Sequence, residues 1–587
     1  MSTTETAGGG GEKTWFGHPR PLALLFTTEA WERFGYYGMR ALLILYLVQH
    51  FVFADRVANG LYGAFTSLVY LTPLIGGFIA DRYLGNKNAV KLGAVLMSVG
   101  YLMLAFTGGE KADPFVTING ARYEIAIDDA GTQYVVDNGQ QLRIQGNEDS
   151  SITLEGGQGA LASNIPAANY KFDAERNPLN VILLFVSLGL VIVGNGYFKP
   201  NISTIVGELY SQTDRRRDAG FTIFYMGINL GSIFSQLLAP WIAVTYGYMW
   251  GFALAGFGML LAAIRFQIAS GSLKDYGNPP ADAPKRGWII FICSLLAVPV
   301  IWFLMNNAME AASMGSSEGD AAGGVVGYIL AQPLLGKIMF GAYILAMFGL
   351  PIWAMAGLDK EARSKLIVAV VLCFFSVVFW TLFEQAGSSL TLFAERNTDR
   401  MLGSYEMPAG QAQAFNPVFI VLMAPLFSLM WNWLGKRNLE PSVPFKFVIA
   451  LALVGIGFLA LVFGAQFHNE AFQVALFWLA LTYFIHSVGE LCISPVGLSM
   501  ITKLSPQKMV GLMMGVWFMS SAMAQYAGGI IAQFASTETV GGQVLNPEVS
   551  LNSYLNVFQT IGIAGLVSAG VLLLLAPFLQ KGMQGVR

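Results

Sequence analysis

The chain has 587 residues, 55% of them hydrophobic and 12% charged, with a formal net charge of −2. Soluble proteins carry about 25% charged residues, so a water-exposed surface at this size is excluded and a lipid bilayer is the expected solvent. The near-neutral balance excludes nucleic acid as a partner, and Cys293, Cys373 and Cys492 lie in separate apolar runs with no CxxC pair, which gives no disulfide framework and no cysteine metal site.

The first 21 residues are polar and glycine-rich. They contain no short apolar core followed by a cleavage site, so no signal peptide is expected. A spanning helix needs about 20 mostly apolar residues. Fourteen stretches qualify: 22–50, 58–80, 88–107, 179–200, 219–242, 247–268, 287–306, 325–356, 365–388, 415–434, 445–465, 472–500, 509–534 and 554–579. Between the third and fourth lies a long polar segment, 108–178. Its stretch "PFVTINGARYEIAIDDAGTQYVVDNGQQLRIQG" alternates and carries the turns "NG" and "DNG". That pattern predicts short antiparallel strands in a small β-rich extracytoplasmic insert; a partly ordered loop is the alternative.

Orientation follows from Lys and Arg in short loops. With the N-terminus inside, the internal loops hold Arg82, Lys87 and Lys91, Arg215 to Arg217, Lys274, Lys285 and Arg286, Lys360, Arg363 and Lys365, Lys436 and Arg437, Lys503 and Lys508, and Lys581 and Arg587. The short external loops hold only Arg56, Arg396 and Arg400. Both termini are therefore expected in the cytoplasm.

Charges within spans are costly and usually face a partner or a wet cavity. Those present are Glu29, Glu32, Arg33 and Arg40 in the first span, Lys199 in "GNGYFKPN", Lys337 in "GKIMF", Glu384 in "FWTLFEQAGSS" and Glu490 in "HSVGELCISP". Glu29, Glu32 and Arg33 fall at i, i+3 and i+4 and share a helix face. A structural ion pair explains any one of these charges. Acids and bases spread over both halves favour a shared central cavity. His486 lies four residues before Glu490, but no third ligand is near, and no metal site is expected.

"GGFIADRYLGNK", residues 76–87, looks like the loop after the second helix of the major facilitator superfamily. "EAWERFGYYG", residues 29–38, fits the ExxERFxYYG motif of the proton-coupled oligopeptide transporters, and "FTIFYMGINLGS", residues 221–232, fits that family's second signature. "YFKPN", "FEQAGSS", "NPVF", "GELCISPVGLSM" and "MMGVWF" are similar to it too, so the resemblance runs from about Gly17 to residue 575.

The resemblance implies an all-α integral membrane protein with the major facilitator fold: two six-helix bundles plus two extra helices, 14 spans in all. It divides the chain into a cytoplasmic tail (1–21), an N-terminal bundle (22–268) carrying the insert, a linker with the extra pair (269–364), a C-terminal bundle (365–580) and a tail (581–587). It implies a bacterial inner-membrane symporter of di- and tripeptides with protons, working by alternating access, with no enzymatic step and no cofactor. A monomer embedded in lipid is expected, because each chain should enclose its own pathway. The long insert departs from the family's usual short loop.

A short peptide presents an ammonium, a carboxylate and variable side chains, so a promiscuous site should clamp the two ends with opposite charges. By resemblance, Arg33, Arg40 and Lys199 meet the carboxylate, which suits arginine's planar fork. Glu490, with Asn229 and Asn416, meets the amino end, and Ser494 supports it. Tyr36, Tyr37, Tyr70, Trp380 and Trp517 match pocket-lining positions; an aromatic ring in a spanning helix is otherwise best read as packing. Glu29 and Glu32 beside Arg33, with Glu384, are the proton-coupling candidates, because a carboxylate that gains and loses a cation changes its proton affinity. Arg40–Glu384 and Lys199–Glu490 are the expected gating pairs between bundles; static helix glue is the alternative for each. Some members have a histidine in the second helix, but residues 51–107 contain none, which shifts the coupling role to the glutamates. The competing functions are a proton-coupled carrier of another small solute, nitrate or an organic anion, and a non-transporting sensor. An intramembrane enzyme finds no HExxH, GxSxG or nucleotide loop to support it.

Overall fold

The structure, a computed structural model, describes residues 14–585 apart from 108–109, 129–130, 158–160, 162–163, 212, 285 and 315–323. The start of the expected tail (1–13), Lys285 and Arg587 lie outside the described residues. Twelve described helices are long and apolar enough to cross a membrane.

After a small hairpin, β1 (Thr14–Trp15) and β2 (His18–Pro19), six helices follow: α1 (Pro21–Gln49), α2 (Asp55–Ile79), α3 (Asn86–Phe106), α4 (Pro178–Glu208), α5 (Arg217–Tyr246) and α6 (Tyr248–Ala269). They pack on one another as a first bundle. The starts obey local chemistry. At α4, Pro178 fills the first turn, where its missing N–H costs nothing, and the Asn177 side chain accepts from Leu179 N at 3.0 Å.

Next come α7 (Gly287–Met314), α8 (Gly324–Ala331), α9 (Leu334–Ile344) and α10 (Leu350–Gly357). The expected single span 325–356 is thus interrupted. Pro333 has no N–H to donate and pushes the residue before it out of the helical region, so α8 stops at Ala331. The freed N–H of Leu334 finds Asn307 Oδ1 at 2.8 Å. A π-helical turn, Leu345–Gly349, then joins α9 to α10. Here α7 packs on α2 and α4, while α9 packs on a helix of the second bundle.

That second bundle holds α11 (Lys360–Phe383), α12 (Ser389–Arg396), α13 (Phe415–Lys436), α14 (Val443–Gly464), α15 (Leu476–Leu504), α16 (Val510–Phe534) and α17 (Pro547–Gly582). Span 365–388 also breaks: α11 yields to a tight turn over Glu384–Gly387, and α12 resumes after Ser388. Of the fourteen expected spans, α1 is set apart by its four charges and α16 by its glycines, alanines and serines.

The insert folds. Strands β3 (Asp113–Ile118), β4 (Ala121–Ile127), β5 (Gln133–Asp137), β6 (Gln140–Gly146), β7 (Ile152–Leu154), β8 (Asn164–Ile165) and β9 (Tyr170–Glu175) form one antiparallel sheet in the order β8-β7-β6-β5-β4-β3-β9. Asn119–Gly120 and Asn138–Gly139 all have positive φ, as a two-residue turn of the right twist for a hairpin requires. Both stalks of the sheet are bonded to the α1–α2 turn. Ala112 N donates to His50 O at 2.9 Å, and Arg176 donates to Phe51 O at 2.8 Å and Val52 O at 2.7 Å. This end of the molecule is the insert side. The described chain ends lie at the other: His18 is bonded to Tyr210 beyond α4, and Gly582 O accepts from Ser364 at the start of α11.

Four short strands, β10 (Thr398–Asp399), β11 (Met401–Leu402), β12 (Tyr405–Glu406) and β13 (Val474–Ala475), edge the second bundle; β10 pairs with β13. The hairpin β14 (Thr539–Val540) and β15 (Gln543–Val544) links α16 to α17. The bundles meet chiefly along α2 and α16. A Cβ on Gly63 would lie 2.7 Å from Gly529 Cα, so only two glycines allow this approach.

Candidate functional site

Helical spacing builds one stripe on α1. Glu29, Arg33, Tyr37 and Arg40 are at i, i+4, i+8 and i+11 and all line a cavity of about 320 Å³ between the bundles. Tyr70 of α2, Lys199 of α4 and Asn229 of α5 complete the first-bundle wall. From the second bundle come Trp380, Glu384, Asn416, Glu490 and Ser494. Arg33, Lys199 and Glu490 therefore share one void. Trp517 lines an adjoining cavity of about 160 Å³ with Tyr70, Trp380 and Ser494.

Two candidates stand elsewhere. Tyr36 is 2% exposed and lies outside the cavity lining, behind Tyr37, its ring 5.3 Å from that of Tyr37. Consecutive helical residues point about 100° apart, so only one of the two tyrosines can join the stripe. Glu32 is fully buried behind the wall for the same reason.

The charges are paired in a definite pattern. Arg33 Nε lies 3.1 Å from Glu29 Oε1 and also contacts Glu32. Glu29 Oε2 and Arg33 Nη2 have no hydrogen-bond partner among the described residues; the triad is held by charge and keeps bonding capacity in reserve. Arg40 pairs with Glu384 across the bundles and donates from Nε to Tyr62 OH at 2.8 Å. The expected Arg40–Glu384 contact is formed. The other is not: among the described residues Lys199 makes no ion pair, and its Nζ stands 4.3 Å above the Tyr70 ring. Glu490 Oε2 instead accepts from Asn416 Nδ2 at 2.9 Å, and Asn416 also donates to Ser487 Oγ at 3.0 Å. Lys199 and Glu490 thus lie on separate walls of the cavity, each without an ion-pair partner among the described residues. Asn229 donates to its own helix, to Tyr225 O at 3.0 Å. His486 is buried, with Nε2 3.1 Å from Val454 O and its ring against Phe458.

Sequence reasoning missed several groups. Tyr225, Ser232 and Gln236 line the cavity beside Asn229; their offsets of −4, +3 and +7 from Asn229 put them on its face, a signal present in the sequence. Tyr62, the Arg40 partner, sits two turns before Tyr70. A second interbundle clamp also escaped: Arg396 figured only as a loop charge and its partner Asp55 not at all. Arg396 grips Asp55 with both nitrogens, Nη1 at 2.5 Å and Nη2 at 2.7 Å, both side chains at most 4% exposed. Tyr554 OH accepts from Arg396 at 3.1 Å, and Thr537 N donates to Asp55 at 3.1 Å. With Gly63–Gly529 and Arg40–Glu384, this clamp joins the two bundles.

A profile of the POT family (PTR2) matches residues 87–546. The chain is 32% identical over 573 residues to dipeptide and tripeptide permease A of Salmonella typhimurium, covering 97% of this chain and 94% of the permease. The protein of the same name in Escherichia coli K12 is 31% identical over 97% of this chain and 94% of its own length. Among solved structures, peptide transporter POT in complex with sulfate superposes with a TM-score of 0.72 at 29% identity, covering 98% of each chain. A bacterial homologue of the human drug peptide transporters PepT1 and PepT2 gives 0.69 at 26% identity, over 96% of this chain and 98% of its own. The architecture is accordingly a major facilitator fold with a β-sheet inserted after its third helix. The chain belongs to the POT family of membrane transporters.

Proposed function

We propose that the protein imports di- and tripeptides together with protons by alternating access, across a bacterial inner membrane with the insert side outside and both termini in the cytoplasm. The observation that carries this reading is the cavity itself. It receives Arg33, Arg40 and Lys199 from the first bundle and Glu490 from the second, a dipole matched to a zwitterion. At about 320 Å³ it lies at the small end of ligand pockets. The names of the permease relatives point to the same substrates.

Lys199, which makes no ion pair among the described residues, first draws the peptide carboxylate. Glu490, steadied by Asn416, takes the ammonium. Arg33 is occupied by Glu29 and Glu32; a proton on Glu29, which faces the cavity, loosens that hold and frees the Arg33 fork for the carboxylate. Proton and peptide then arrive as a set, and the proton is the coupling ion, with no cofactor. Arg40–Glu384 and Asp55–Arg396 keep the outside shut and must part when it opens, as in rocking repeats around a midplane site. One solved neighbour, PepTSo2, is tetrameric; here a single chain encloses the cavity, so a monomer suffices for transport.

A thermal-shift series in detergent tests the substrate class. Ligands that bind the folded state stabilise it by an amount that rises with the logarithm of ligand concentration over Kd. Di- and tripeptides should raise Tm, while single amino acids, tetrapeptides and nitrate leave it unchanged. A shift with nitrate and none with dipeptides would overturn the proposal in favour of an anion carrier.

A further inference from the structure

The seven-stranded sheet belongs in sequence to the first bundle, and its stalks are bonded to the α1–α2 turn through Ala112 and Arg176. Its apolar core, however, is completed from the second bundle. Val540, on the hairpin between α16 and α17, is fully buried among Val116, Ile118, Val135 and their neighbours, with Leu545 packed alongside. The hairpin is held at both ends. Tyr170 OH donates to Glu538 Oε2 at 2.6 Å, and Asn546 Nδ2 donates to Gly146 O at 3.1 Å. At its tip, a Cβ on Gly541 would fall 2.3 Å from Ile127 Cδ1, and one on Gly542 would fall 2.6 Å from Val48 O. The hairpin is therefore wedged between the sheet and the end of α1, with no room for side chains at the turn.

We propose that the insert is a strap between bundles: it clasps the 539–544 hairpin while the insert side is shut, and it must release Val540 before that side can open. The proposal rests on the alternating-access reading above. Opening must draw α16 away from α2 at Gly63–Gly529 and separate Arg396 from Asp55. The hairpin travels with α16 and α17. The sheet is tied to α1 and α2 and travels with the first bundle. The two cannot stay docked through that motion, and release exposes an apolar core to water. Burial of Val540 thus adds to the stability of the shut state and sets a threshold for opening that a short α3–α4 loop would not impose.

Two measurements test it. In a Cys293→Ser background, Gly146→Cys with Leu545→Cys places a disulfide across the contact, since a Cβ on Gly146 would lie 2.8 Å from Leu545 Cβ, near enough to bridge after a small shift. Oxidation should reduce dipeptide uptake by proteoliposomes at least tenfold relative to the reduced protein. Equal uptake in both states would overturn the strap. The second measurement needs no transport. Spin labels at Lys171→Cys on the sheet and Glu470→Cys on the second bundle report their separation. Val540→Asp should add a longer-distance population to the single one of the parent, and an unchanged distribution would overturn the proposal. A longer population in a protein that moves no peptide would leave the strap standing and refute the peptide reading instead.

Discussion

Glu490 and Arg33 bring opposite charges into one void from opposite ends of the chain, and each makes a separable prediction. Glu490→Gln keeps the Asn416 contact but removes the anion; dipeptide uptake should fall at least tenfold, and the stabilisation of the protein by dipeptides in thermal-shift measurements should vanish. Replacing both Glu29 and Glu32 with glutamine removes the proton-binding partners of Arg33. Accumulation driven by a pH gradient should be lost while peptide counterflow persists, and full accumulation by that variant would refute the coupling role. Much of this site was legible. Charges stand out inside apolar runs and singled out Arg33, Arg40, Lys199 and Glu490, while Asn229 and Asn416 came from the family resemblance. What spacing did not decide was direction. Tyr36 and Glu32 adjoin true cavity residues in sequence but point a third of a turn away. Asp55 and Arg396 were illegible as a pair, since 341 residues separate them and each resembles an ordinary loop charge.

At the level of elements, charge pairs and turns decide where the bundles and the insert hold together. Removing one partner from a buried ion pair strands the other, at a cost of about 3–5 kcal/mol. Asp55→Asn, which leaves the buried Arg396 without its anion, should lower Tm markedly, whereas neutralising the exposed Arg122 of the sheet should not. Exchanging the charges of Arg40 and Glu384 should restore transport lost in either single variant if their bond is a gate; no rescue would count against it. In the insert, Gly120→Val forces a branched residue to a φ of +85°, at about 1–2 kcal/mol, and should speed proteolysis of β3 and β4 without altering the helices. The hairpins were readable because Asn-Gly turns within alternating residues have few other solutions. Helix interiors were less so. Hydropathy ran unbroken across Pro333 and Glu384, where backbone chemistry interrupts the helix, and hydropathy does not register a missing N–H or a change of helical hand-hold.

For the whole molecule, the fold follows from composition. A chain with 12% charge carries most of it outside its apolar spans, and most of the few charges inside them line one cavity, because a lone charge in lipid is costly. In the structure the bundles are joined by Arg40–Glu384, Asp55–Arg396, the Gly63–Gly529 crossing and the docked hairpin, which the proposed cycle reads as the state shut on the insert side. Of these contacts only Arg40–Glu384 was expected, through the family resemblance; the others join residues of different bundles that no sequence signal pairs. The account stands on proton-driven passage of a zwitterion through the cavity that these bundles share. The direct measurement is uptake of labelled dialanine by proteoliposomes under an inward proton gradient. Accumulation above the external concentration, abolished by a protonophore, is the predicted result; uptake that ignores the gradient, or none in protein that binds dialanine, would contradict it.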